Sequence, residues 1–493
     1  MPTSTRSTDQ PLPPARSQTA AGRRASGIGQ WLAHHRTILL IAFAFTVMAD
    51  PVSSVAYAVE AALRALGGNI SLLLPTMAVV VGIIAVVVAN YHELVARFPQ
   101  GGGAAAASGA AFGEGFAFLP LGALIVDFVL TIAVSVAAGT SAIVAYFPAA
   151  HTIRVPLALG LLVLVAALTW FGHWGRVLFA LMTLSFVGIG VAMLISGFSK
   201  PQVVQAAASG HASGFAAFSV MLAFPVGMAL ATGVEAPSSA IAQLGQLDDD
   251  GRRRFGRITL WLTLLIVGSL TIGITALAVR LGIGIPPANS TQIGDVARAA
   301  GSPGLFAAFQ AASAVLLLAA ASSSFQAGPG LLKALARAER LDGSSIGILP
   351  AWMGRTNRHH TPYWAGLVFL LVSATVIVVA GARDQELVLF YAVAVFISFL
   401  AGLLAMLKFS LAEHRRRWVL LNGAGTLLVG FTLAVNLLRG YPLVSLAAAL
   451  LIAGALYLLW VRAGRPRGVS QIERIVEAEV GEDECAAPLQ RRV

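Results

Sequence analysis

Asp50-Pro51-Val52-Ser53-Ser54-Val55 sits in the first long apolar run of the chain, and Glu235-Ala236-Pro237-Ser238-Ser239-Ala240 sits in the sixth. Both read acid, two residues, Ser-Ser, small apolar residue, with a proline inside. Pro51 has no N–H, so the carbonyl of Val47 loses its helical partner, and the ring pushes Asp50 away from helical geometry. Pro237 does the same to the carbonyl of Gly233, and Gly233 weakens the helix further. Two interrupted apolar helices lie five spans apart. An odd number of spans per repeat inverts the second copy in the membrane, and breaks at corresponding places in inverted halves point to a midplane binding site. The pair therefore predicts an all-α membrane protein built on a five-plus-five inverted repeat.

The rest of the chain fits that plan. Of its 493 residues 57% are hydrophobic and 11% charged, with a mean hydropathy of +0.81; soluble domains carry about 25% charged residues. Twelve runs reach roughly the 20 residues that a membrane span needs: 37–66, 71–94, 114–147, 154–170, 176–197, 214–243, 256–281, 303–332, 362–380, 386–407, 418–438 and 441–461, here spans 1 to 12. The transporter domain is thus 37–461, with repeat one at 37–197, repeat two at 214–407 and two extra C-terminal helices at 418–461. Residues 1–36, rich in Ser, Thr, Pro, Gln and Arg, read as a disordered basic cytosolic tail. Arg23-Arg24 belongs to that tail and not to a twin-arginine signal. Residues 462–493 form a short C-terminal tail, too short for a folded domain.

The net charge of +11 is concentrated in short segments between the apolar runs, where topology determinants sit, and forms no nucleic-acid stripe. With the N-terminus inside, only Arg64, Arg154, Lys200, Arg280, Arg298, Arg383 and Arg439 of the 33 basic residues fall outside. Both termini and the loops holding Arg252–Arg254 and Arg415–Arg417 are then cytoplasmic. The Arg-, Ala- and Gly-rich composition reads as a bacterial coding bias, hence a bacterial inner membrane. The single cysteine, Cys485, rules out a disulfide framework and a cysteine-based metal site.

An ionisable group in a span costs roughly 2.5 to 3.5 kcal/mol on insertion scales. Asp50, Asp127 and Glu235 stand inside spans with no Lys or Arg at matching depth. One such acid is as readily a protonated helix–helix contact; three favour a cation or proton pathway. Asp127, Thr131 and Ser135 recur at i, i+4, i+8 and share a face of span 3. Freed carbonyls beside carboxylates and hydroxyls make an oxygen cage suited to hard cations. Ser322, Ser323 and Ser324 in span 8 are read as bonding their own backbone. Pro99-Gln100-Gly101-Gly102-Gly103-Ala104 lacks the Lys-Ser/Thr of a phosphate loop and reads as a flexible or re-entrant cytoplasmic loop. His92-Glu93 reads as an interfacial polar cap.

These residues resemble the KimA-type potassium importers of the KUP group, in the amino acid–polyamine–organocation (APC) superfamily. The resemblance rests on 50–60, on Phe98 to Ala104, on Val126 to Ser135, on Thr232 to Ala236, on Ser324-Phe325 with Pro329-Gly330-Leu331, and on Phe390 to Phe396. It implies a LeuT-like fold and proton-coupled potassium uptake, with potassium and protons as cargo and no cofactor. Carried over by position, the ion path is Asp50, Tyr57, Asp127, Thr131, Ser135, Thr232, Glu235 and Tyr391. Potassium would sit at Asp50, Asp127, Thr131 and Thr232; Glu235, or else Asp50, would couple the proton. Phe128, Ala105, Ala327 and Gly330 depart from the family pattern. The large cytosolic C-terminal domain of many members is not in this sequence, so nucleotide regulation is not expected and a dimer is left open.

The rival within the same fold is a proton-coupled amino acid permease, which binds a carboxylate on backbone N–H groups at a glycine-rich break in span 1. Here an Asp and a Pro occupy that break. A cationic amine passes the same test. A membrane scaffold has no use for midplane acids, and no nucleophile–base pair or metal cluster suggests an enzyme.

Overall fold

The computed structural model describes residues 36–170, 176–202, 216–339 and 345–479. The expectation of a disordered N-terminal tail and the single cysteine Cys485 lie outside these residues. Among them the chain is helical apart from one two-residue antiparallel pair, Ala338–Glu339 with Ser345–Ile346.

Among the described residues eleven helices are long and apolar enough to cross a membrane: Arg36–Ala65, Ile70–Arg97, Glu114–Tyr146, Pro148–Trp170, Val177–Phe198, Ala216–Gln243, Asp249–Leu281, Pro303–Ala336, Asp384–Ala412, Arg416–Leu437 and Pro442–Arg462. Tyr363–Val379 supplies the remaining expected span. Its 17 residues rise about 26 Å, close to the hydrocarbon thickness. The chain is a multi-pass membrane protein whose spans fall where the apolar runs do.

Side chains sort the spans into inner and outer ones. Spans 3 and 10 are buried along most of their length; span 3 packs along span 8 on one side and span 10 on the other. Spans 4, 5, 11 and 12 bury only one stripe and present Leu164, Leu181, Ile195, Leu427 and Leu451 outward, as lipid-facing helices do. The extra helices are closely fitted. A Cβ on Gly122 of span 3 would lie 2.7 Å from both the Ala449 oxygen and the Ala453 nitrogen of span 12. Such close backbone approach is how membrane helices associate without a hydrophobic drive.

The loops collect at two opposite ends. At one, Arg415 pairs with Glu93 and Arg97 with Glu413. There Arg253 and Arg257 also donate to the Ala96 and His92 carbonyls, at 3.0 and 3.2 Å. This arginine-rich end holds the loops that the charge count assigns to one side. At the other end Arg154 bonds Ser141 and pairs with Asp384 at 3.4 Å, and Arg64 pairs with Glu60. His92 accepts from Trp261 Nε1 at 3.1 Å, consistent with an interfacial cap.

Both spans that carry the paired motifs are interrupted, but unequally. Span 6 runs as Ala216–Gly227, a 3-10 turn Met228–Ala231, an unwound stretch at 232–235, and a short helix Ala236–Ala240. Thr232 is extended, with ψ 136°, and Gly233 is left-handed, with φ +69°. Span 1 is only kinked. Helix Arg36–Val47 gives way to Ala49–Ala65 across Met48, and Asp50, expected to be pushed out of helical geometry by Pro51, lies within the second helix. The reason is position: Pro51 falls in the first turn of the second helix, where its missing N–H is an orphan donor anyway. The carbonyl freed is that of Val47, at the kink.

Candidate substrate site at the broken helices

The unwound part of span 6 lies directly on the start of the second helix of span 1. Gly233 makes this contact possible, since a Cβ there would stand 2.7 Å from Asp50 Oδ2 and 2.9 Å from Pro51 Cδ. Glycine thus serves twice at one position, taking a left-handed φ and leaving room for a carboxylate.

The sequence-predicted residues converge here. Asp127 and Glu235 lie within electrostatic range of each other and of Asp50. Among the described residues none of the three acids forms a salt bridge. Asp50 Oδ1, Asp127 Oδ1 and Glu235 Oε2 are buried without a hydrogen-bond partner, as is Ser135 Oγ. A buried polar atom left unpaired costs roughly 1–3 kcal/mol, and more if charged, so these oxygens need a proton, a water or a cation.

The neutral oxygens are partly committed. Thr131 Oγ1 and Tyr391 OH share a 2.6 Å hydrogen bond that ties span 3 to span 10. Tyr57 OH bonds Ser54 Oγ at 2.9 Å. Ser53 donates to the Asp50 carbonyl at 2.7 Å, and Thr232 to the Ala229 carbonyl at 3.0 Å. The last bond removes the Thr232 proton from the site but leaves an oxygen lone pair free to act as a ligand. Tyr57, Thr131, Ser135, Thr232 and Tyr391 are all fully enclosed. Among the described residues no three His, Cys, Asp or Glu groups approach closely enough to hold a metal ion between them. The three acids stand instead on three different spans, 1, 3 and 6.

Sequence reasoning missed several residues. Tyr91 of span 2 is buried, with its hydroxyl near Ser398 of span 10 and within range of Glu235. A lone tyrosine in an apolar span carries no pattern, so nothing in one sequence marks it. Ser238 Oγ is buried and unpartnered. Beyond Tyr57, toward the end opposite the arginine-rich one, Gln385 donates to the Tyr57 carbonyl at 3.4 Å and to Asp384 at 2.8 Å. Glu60 accepts from Gln292 N at 2.9 Å. Asp384 and Glu60 are thus tied by hydrogen bonds into the end of the bundle opposite the arginine-rich one.

Two interrupted helices that meet over a carboxylate in a membrane-spanning bundle are an arrangement that carriers use, and the family comparison points the same way. A family model for amino acid permeases matches residues 37–467, and the chain belongs to that family of membrane transporters. Among individual proteins it is similar to the potassium transporter KimA of Bacillus subtilis, 28% identical over 403 residues. The match takes in 78% of this chain and 64% of that protein, so the chain spans less than two thirds of the relative. Among solved structures it is similar to a manganese transporter of Eremococcus coleocola. A single-site mutant of that protein aligns at TM-score 0.47 and 15% identity, over 88% of this chain and 96% of that one. The same transporter bound to an aromatic bis-isothiourea compound aligns at 0.47 and 15%, over 86% and 95%.

Proposed function

We propose that this chain is a secondary transporter of the five-plus-five inverted-repeat design that takes up potassium together with protons across a bacterial inner membrane, with both termini cytoplasmic. The observation that carries the reading is the set of three acids, Asp50, Asp127 and Glu235, brought together at the break without a basic partner and with orphaned carboxylate oxygens. A permanent negative site in a low-dielectric bundle favours a cation, and titration of one acid lets a proton use the same path. Asp50 and Asp127, with Thr131, Thr232 and Tyr57, would hold the ion. Glu235 would carry the proton, because it stands in the unwound stretch and has the longer side chain. The similarity to KimA supports potassium as the cargo.

The family model's own description supports a second reading, an amino acid permease. Against it stands the first turn after the kink. Pro51 removes one of the N–H groups that would hold a substrate carboxylate, and Asp50 repels it. Uptake by purified protein in potassium-free proteoliposomes separates the two. Accumulation of rubidium or potassium under an inward proton gradient supports the first reading, and accumulation of a neutral amino acid without it supports the second.

A further inference from the structure

The glycine run at 101–103 and the C-terminal tail take no part in the site described above, yet they meet. Gly101, Gly102 and Gly103 are all left-handed, with φ of +89°, +96° and +48°. They lead into a short, largely buried apolar helix, Gly103–Phe112. A Cβ on Gly101 would lie 2.7 Å from the Ser239 carbonyl oxygen of span 6. One on Gly103 would lie 2.6 Å from Ser239 Oγ and 3.0 Å from Glu473 Oε1, and one on Gly109 would overlap the Ser470 side chain. This side-chain-free wall is a seat, and residues 468–479 occupy it as a 3-10 turn, Val469–Gln471, running into a helix.

The seated segment is tied to several elements at once. Glu114, at the foot of span 3, accepts from Ser470 N at 2.9 Å and Ser470 Oγ at 3.1 Å. Ser239 donates to Glu473. Gln243 donates to Glu477 at 2.5 Å, and Lys333 of span 8 pairs with Glu479 at 2.5 Å. Val469 and Ile472 are fully buried beneath. Glu473 and Glu477 are i, i+4 and share one helix face. Glu235 and Ser239 are also i, i+4, so Glu473 stands one turn beyond the candidate proton carrier, toward the arginine-rich end.

We propose that residues 468–479 are the intracellular gate of this carrier and that Glu473 is the latch holding the second half of span 6 closed. The inference rests on the reading of the broken helices as the substrate site and of the arginine-rich end as cytoplasmic. Cargo leaving the acids at that end must pass the stretch 236–243. The tail joins this stretch to span 8, to the foot of span 3 and to the helix Gly103–Phe112, so these elements cannot part while it is seated. The Lys333–Glu479 clasp is charge-assisted and open to water at the rim, so it can exchange, while the Ser239–Glu473 bond is the more shielded one.

The test uses the full chain in proteoliposomes with Cys485→Ser as background. A cysteine replacing Ser238 reports whether a small thiol reagent inside the vesicle reaches the site, whatever the cargo. Glu473→Ala and Gln243→Glu, the second of which repels Glu477, are each expected to raise the labelling rate at least fivefold. In a separate protein, Gln243→Cys with Glu477→Cys bridged by a short reducible bis-thiol reagent is expected to slow rubidium uptake at least tenfold, with recovery on reduction. Unchanged labelling in both point variants, or a bridged carrier that turns over at the unbridged rate, overturns the gate. A protein that transports no rubidium but shows the labelling changes keeps the gate and loses only the potassium reading.

Discussion

Replacing Gly233 by alanine tests the contact on which the site depends. The new Cβ meets Asp50 Oδ2 at 2.7 Å and Pro51 Cδ at 2.9 Å, both inside normal contact, and the backbone there has φ +69°. The left-handed conformation costs about 1–2 kcal/mol for a residue with a Cβ. Overpacking against a proline ring and a carboxylate adds about 1–3 kcal/mol. The sum is about 2–5 kcal/mol, and the protein can escape part of it only by moving span 1 away from the break, which displaces Asp50. The expected result is a fall in thermal stability together with a loss of about tenfold or more in cargo affinity, measured by cargo-dependent thermal shift on purified protein. Gly188→Ala is the control, since a Cβ there meets nothing within 4 Å in a helical segment; it should leave both quantities within error. Wild-type affinity and stability in Gly233→Ala would show that span 6 does not rest on Asp50, and the site as drawn would be wrong.

Three further outcomes follow from the same geometry. Asp127→Asn should abolish cation binding, whereas Glu235→Gln should spare binding but uncouple uptake from the proton gradient; binding and gradient-driven uptake are read separately in proteoliposomes. Gly122→Leu should detach span 12, because even one Cβ there overlaps Ala449 and Ala453, and the melting temperature in detergent should fall while the acids stay in place. The tail latch should respond to pH. Burial pushes the Glu473 carboxyl up to about 7, helped by Glu477 and opposed by the Ser239 hydrogen bond. The groups around it are Ser239 and Gln243 of span 6, Glu235 one turn away, Tyr91 of span 2, and Arg474 on its own helix, which has Arg252 and Asp249 beside it. The seated form therefore holds a proton that the free tail releases near the ordinary glutamate value. Seating is strongest in acid and is lost as pH rises toward about 7. Between pH 7 and pH 6 it should tighten about fivefold, read as slower labelling of the Ser238→Cys reporter from inside. A pH-independent rate in that window would remove Glu473 as the sensor.

The spans were legible because lipid demands long apolar helices, and the apolar runs delimit them to within a few residues except at their ends. The acids were legible for the complementary reason: a carboxylate in such a run has no bland explanation when three occur. Pro51 misled, since a proline frees a carbonyl one turn before itself, and the kink accordingly falls at Met48 and not at Asp50. The unwinding at 232–235 was expected because Gly233 and Pro237 act together there. Tyr91 could not be picked out, because its role comes from which other span it faces, and Ser238 stood in the repeated motif without being singled out as a site residue. The tail was read as a short polar extension. Its acids find partners in Ser239, Gln243 and Lys333, which lie between 146 and 234 residues away, and no local pattern encodes such pairings.

The central claim is that the three acids at the break form a cation site fed by a proton gradient. The most direct measurement is rubidium uptake by purified wild-type protein in sealed proteoliposomes, with and without an inward proton gradient, alongside Asp127→Asn. Gradient-driven accumulation that saturates, is competed by potassium and disappears in Asp127→Asn is the predicted result. Wild-type protein that ignores rubidium and instead concentrates a neutral amino acid under the same gradient would contradict the account.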